Sequence, residues 1–84
     1  MQCFIYKGKK KPDYYLFVVR EDTFDQVPES LMNLLGPIEY VMELDLTPDK
    51  ILAQSDAGEV LRLLSEQGYY LQFPKQEGDL GGHG

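Results

Sequence analysis

Apolar positions along this chain fall in short runs separated by polar intervals that carry Gly and Pro, and the period of each run predicts an element. Gln2-Cys3-Phe4-Ile5-Tyr6 is rich in aromatic and β-branched residues and is bounded by Lys7-Gly8, which reads as a strand. The interval from Gly8 to Asp13 holds the Gly and Pro of a turn. Tyr14-Tyr15-Leu16-Phe17-Val18-Val19 is then apolar at both parities. Tyr14, Leu16 and Val18 take one face of a strand, and Tyr15, Phe17 and Val19 take the other. A strand apolar on both faces needs cover on both, so it belongs in the middle of a layered fold. The short interval makes the two strands an antiparallel hairpin.

Pro28 stands where a helix would begin, at the first helical position, with Glu29 next to it at the positive end of the helix dipole. Leu31, Met32, Leu34 and Leu35 form its apolar stripe, and Gly36-Pro37 closes it after about two turns. Ile38 to Leu46 reads as a third strand, with Tyr40, Met42 and Leu44 on one face and Glu39, Val41, Glu43 and Asp45 on the other. Thr47-Pro48-Asp49-Lys50 is a turn, and Ile51-Leu52-Ala53 is expected as a short returning strand. Asp56 and Glu59 have the spacing of a capping box ahead of a second helix. Val60, Leu61, Leu63 and Leu64 are its buried stripe, and Gly68 is its stop. Tyr69-Tyr70-Leu71-Gln72-Phe73 is a last strand, ended by Pro74. The expected fold is α+β: a largely antiparallel sheet of four to five strands, with room for one parallel neighbour, between two short helices. Residues 1–74 are read as one domain, and the Gly-rich segment 75–84 as a fraying tail.

Composition narrows the setting rather than the activity. Hydrophobic residues at 43% and charged residues at 26% are ordinary for a globular chain and argue against disorder. No apolar run approaches the ~18 residues of a membrane span. Charge follows the first apolar stretch, the reverse of a signal peptide. The single Cys3 excludes an internal disulfide and a cysteine zinc cage, so a reducing cytoplasm is the expected compartment. Fourteen acidic against eight basic residues give a net charge of −6, yet Lys7, Lys9, Lys10 and Lys11 place half of the basic residues at the hairpin tip.

Beyond these patterns, several local strings resemble the YcgL domain family of small bacterial proteins. The resemblance is carried by Glu66-Gln67-Gly68-Tyr69-Tyr70-Leu71-Gln72 with Pro74 following. It is supported by Cys3, Ile5-Tyr6, Tyr15-Leu16, Phe24, Val27-Pro28-Glu29 and Leu31-Met32, and it spans nearly the whole chain. It implies a three-layer α/β/α sandwich, and it brings no reaction, cofactor or catalytic residue with it.

Each candidate site has a competing structural explanation. The Lys7–Lys11 tip could meet a phosphate backbone, an acidic lipid surface or an acidic partner. The same lysines would also keep an exposed loop soluble and unpaired. The tyrosine pairs Tyr14-Tyr15 and Tyr69-Tyr70 could stack on a ligand or cover the sheet margin. Glu39, Glu43 and Asp45 along one strand face could bind a hard cation, or simply be a solvated face. No Gly-x-Ser-x-Gly elbow or phosphate-binding Gly loop occurs, and His83, the only histidine, sits in the tail. No catalytic, cofactor or metal residue is assigned. The expectation is a non-catalytic protein-interaction module whose surface uses Lys9, Lys10, Lys11, Tyr14, Tyr15, Tyr69 and Tyr70. The alternatives are a factor that meets RNA or DNA through the lysine tip, and an enzyme with an unfamiliar site. The partner is a protein of unknown identity, no membrane association is expected, and the oligomeric state stays open.

Overall fold

β1 (Gln2–Gly8) and β2 (Tyr15–Val18) pair antiparallel as the expected hairpin, with Ile5 opposite Phe17 and Tyr6 opposite Leu16. The computed structural model describes residues 1–52 and 55–74. β3 (Ile38–Asp45) adds to β1 and β4 (Tyr69–Gln72) to β2, giving the sheet order β3-β1-β2-β4. All three pairings are antiparallel, so the parallel neighbour that the sequence allowed is not found among the described residues. The expected short strand at Ile51 is also corrected. Ile51 makes one isolated bridge with Asp56, because only six residues separate the Thr47–Lys50 turn from the start of the next helix. Ala53 and the tail from 75 to 84, including His83, lie outside the described residues.

The doubly apolar β2 is covered from both sides. α2 (Ala57–Gln67) lays Ala57, Val60 and Leu64 on Cys3, Ile5 and Phe17. On the opposite face α1 (Glu29–Leu35) sets Leu35, with Leu31 and Met32 beside it, against Tyr6, Leu16 and Val18. The fold is therefore α+β with the sheet between two helices. Local signals locate both helices. Asp56 accepts the Glu59 N–H at 2.9 Å, and Gly68 closes α2 in the left-handed region at φ 87°. The reciprocal half of the capping box is absent among the described contacts: the Glu59 carboxylate instead takes Arg62 at 2.6 Å, and Arg62 also reaches Glu66 at 3.0 Å. Pro28 occupies the N-cap rather than the first helical position, with its carbonyl accepting from Leu31 and Met32. Leu34, a member of the apolar stripe, is exposed, since seven residues turn only one edge of α1 onto the sheet. Leu61 and Leu63 are half-buried margins of α2.

β3 departs from simple alternation. Ile5 stands opposite Met42 but Tyr6 stands opposite Tyr40, leaving Val41 as the extra residue of a β-bulge. A bulge exchanges the faces on its two sides. Ile38 and Tyr40 therefore share the α1 side with Tyr6, whereas Met42 and Leu44 share the α2 side with Ile5 and Cys3. The expected common face of Tyr40, Met42 and Leu44 is corrected, and so is the expected row of carboxylates. Glu43 and Asp45 lie opposite Phe4 and Gln2, while Glu39 lies opposite Lys7 on the other face.

Candidate functional site

The lysine tip is held against the end of α1. A Cβ on Gly8 would lie 2.6 Å from the Leu35 carbonyl oxygen, so only glycine lets the helix come this close to the strand. The Lys9 N–H then donates to the Pro37 carbonyl at 2.8 Å and the Lys10 N–H to that of Leu35 at 3.1 Å. The aliphatic stem of Lys10 covers Gly36, where a Cβ would meet it at 2.6 Å. α1 has no basic residue in its last turn, and Lys10 brings a positive charge to that negative end from the neighbouring loop. The Lys11 Nζ stands 6.0 Å from the centre of the Tyr14 ring, within reach of a cation–π contact. Tyr14 in turn meets Phe73 edge-on at 5.3 Å. Phe73 is 56% exposed, so charge and aromatic surface meet at the hairpin end through a residue the sequence reading placed merely as the end of a strand. The signal that could have found it was an aromatic residue just before Pro74, where no ladder partner remains to cover the ring.

The seven residues proposed as one surface do not all come together. Lys9, Lys10, Lys11 and Tyr14 share the hairpin end. Tyr15 is adjacent but turned to the α2 side, between Lys7 and Gln72 on the neighbouring strands. Tyr69 and Tyr70 stand opposite Val18 and Phe17, at the far end of β2. Tyr69 packs on the α1 side. The Tyr70 ring meets Phe17 at 5.7 Å, and its hydroxyl lies 3.1 Å from Ser55 Oγ. Because Ser55 donates its proton to Gln72 Oε1 at 2.8 Å, Tyr70 is the donor to Ser55.

Two other surface features were not legible beforehand. On the α2 side, the short helix leaves part of the sheet bare as an apolar cleft of about 240 Å³. Ile5, Phe17 and Leu44 floor it, with Val41, Met42 and Tyr15 among its walls. Its outer wall is the sheet edge, where Tyr40, Val41 and Met42 are 47%, 40% and 45% exposed. A second, polar opening of about 340 Å³ lies between the last turn of α2 and the segment after β2, bordered by Arg20, Thr23, Asp25, Gln26 and Glu66.

Burial acts on two titratable groups of β1. Cys3 is fully buried, and desolvation pushes its thiol up to about 11. Tyr6, also buried, accepts the Asp22 N–H at 2.7 Å and donates to Asp22 Oδ1 at 3.1 Å, fixing Asp22 at φ 57°. Burial raises the Tyr6 hydroxyl above its usual value, and the neighbouring carboxylates add to the shift. Among the described residues no three His, Cys, Asp or Glu side chains gather to hold a metal ion. No helix there is long and apolar enough to cross a membrane.

These features define a small α+β domain, an antiparallel sheet with one helix on each face and bare apolar surface at its edge and hairpin end. A family model described as the YcgL domain matches residues 3–75, and the chain belongs to that family. A YcgL domain-containing protein of Thioalkalivibrio sulfidiphilus is 42% identical over 90% of this chain and 94% of its own length. Another, of Mannheimia succiniciproducens, is 47% identical over 92% of this chain and 76% of its own. The chain also matches, at 44% identity over 89% of its length, one fifth (20%) of a longer protein of Nitrosococcus oceani named for a HAD-like hydrolase.

Proposed function

We propose that the chain is a non-catalytic protein-interaction module of the cytoplasm that presents the hairpin end of its sheet to a protein partner. The observation that carries this reading is the line Lys11–Tyr14–Phe73, an exposed aromatic anchor beside a cation. Aromatic anchors supply contact area at low entropic cost, and flanking charge steers the encounter. Lys9, Lys10 and Lys11 supply that steering. Tyr14 holds the anchor in place, Tyr15 borders the same end of the sheet, and Tyr69 and Tyr70 support the strand behind it. The match to one fifth of the longer N. oceani chain agrees with a domain that serves as an accessory to other proteins.

A pull-down with the tagged full chain tests it, run at low and high salt beside Phe73→Ala and Lys9/Lys10/Lys11→Glu variants whose circular dichroism matches the parent. The expected result is a specific protein that survives high salt and is lost with Phe73→Ala. Recovery of nucleic acid alone, lost with salt and with the lysine variant, would replace this reading by the nucleic-acid one.

A further inference from the structure

Among the described residues the sheet is open along β3, whose outer backbone faces no neighbouring strand. Edge strands are ordinarily blunted by charge, a bulge or cover, because unpaired N–H and C=O groups invite another strand. β3 has the bulge and three carboxylates, but at its middle it leaves Tyr40, Val41 and Met42 exposed in succession. Val41 and Met42 border the apolar cleft floored by Ile5, Phe17 and Leu44, while Tyr40 turns to the opposite face beside Tyr6. The bulge is what opens this arrangement, since Val41 and Met42 both line the cleft instead of alternating away from it.

From this geometry we infer that β3 is a docking edge for an extended, basic segment of a partner protein, which pairs with β3 as a fifth strand and places an apolar side chain in the adjoining cleft. Backbone hydrogen bonds would hold such a segment, and the pocket would select its alternate side chains. The charge of the edge sets the charge of the occupant. Glu39, Glu43 and Asp45 lie within the eight residues of β3, which contains no basic residue. Glu39 has Lys7 across the ladder and Asp45 has the N-terminal ammonium at 3.7 Å, so among the described contacts Glu43, at the exposed middle of the edge, is the carboxylate that a cation of the occupant would meet. A second copy of the chain fits poorly. Each copy carries a net charge of −6, and antiparallel pairing about Val41 would bring two acidic edges together, with the bulge of each strand at the centre of the new ladder. This surface meets the hairpin end at Tyr15, which lines the cleft, and the two readings are told apart by whether a ligand acts on β3 or on Tyr14 and Phe73.

The test is an NMR titration of the ¹⁵N-labelled full chain with a blocked eight-residue peptide of alternating Lys and Val. Two counterparts run beside it, one with Glu in place of Lys and one with the two central valines replaced by proline. The expected result is saturable binding of the Lys/Val peptide, with amide shifts gathered on β3 and on the floor of the cleft. The Glu peptide should not bind. The proline peptide, equal in charge but unable to complete a ladder, should bind at least about tenfold more weakly. Glu39→Gln/Glu43→Gln should weaken the Lys/Val peptide about fivefold through lost charge attraction, and Val41→Ser should weaken it through the cleft. Equal binding of the proline peptide, shifts centred on Tyr14 and Phe73, or no binding would overturn the inference. So would a β3-centred self-association that appears on concentration without peptide.

Discussion

Tyr6 and Cys3 show how much single side chains do in a chain this short. The Tyr6 hydroxyl both accepts from and donates to Asp22, a non-glycine residue held at φ 57°, so one phenol fixes the turn that leads from β2 toward α1. Tyr6→Phe should cost about 1–2 kcal/mol, because the Asp22 N–H loses its partner. Urea unfolding would show the loss, and hydrogen exchange should quicken at Asp22 and its neighbours. The thiol of Cys3 titrates at about 11 in the folded protein against 9.0 unperturbed, so the folded state favours the protonated form. The stability this contributes is fully present below pH 9 and is lost as pH rises toward about 11, and the raised Tyr6 hydroxyl acts in the same direction. Denaturation midpoints should therefore fall across that alkaline range, and less so in Cys3→Ala. A thiol reagent at pH 8 should label Cys3 only at the rate of unfolding. The tyrosine pairs were legible as residues of a sheet, but which of them met the lysines was not. Adjacent strand residues face opposite ways, and only β4's register on β2 put Phe73, rather than Tyr69 or Tyr70, beside Tyr14.

Among the elements, the helix ends carry local information and the edge strand does not. Asp56 caps α2 through its own side chain, so Asp56→Ala should lower stability by about 1 kcal/mol in thermal or urea unfolding. Gly8 is a different case, since its role is set by an element 27 residues away. Its missing Cβ is the space into which the Leu35 carbonyl fits, and Gly8→Ala should cost about 1–3 kcal/mol by forcing α1 off the sheet. The same variant should shift the amide resonances of Lys9 and Lys10, whose hydrogen bonds to Pro37 and Leu35 depend on that approach. In β3 the alternation of apolar and acidic residues predicts a strand correctly but assigns its faces wrongly. The bulge at Val41 is invisible to a period-two reading, because it arises from how β3 matches β1 across the ladder.

At the scale of the whole molecule, one sheet shared by two small cores makes the fold cooperative. Leu16 and Phe17 are neighbours in sequence, yet one is buried under α1 and the other under α2. Leu16→Ala and Phe17→Ala should each cost about 2–5 kcal/mol. In each variant tyrosine absorbance and far-ultraviolet circular dichroism should fall in a single coincident transition, since neither core survives loss of the sheet. Two separate transitions would show that the halves fold apart. Local chemistry explains what was readable beforehand. The doubly apolar β2 demands cover on both sides, Asp56 and Gly68 bound a helix whose stripe recurs every three to four residues, and the interval from Gly8 to Asp13 is long enough only for a hairpin. The strings Glu66–Gln72 and Val27–Glu29 likewise carried the family, because family identity resides in the order of residues. Tertiary structure decided the strand order, the bulge, the splitting of Glu39 from Glu43 and Asp45, and the bare cleft beside β3. Each of these depends on which distant segments meet and in what register, and backbone hydrogen bonds carry no residue identity by which a sequence could announce that choice.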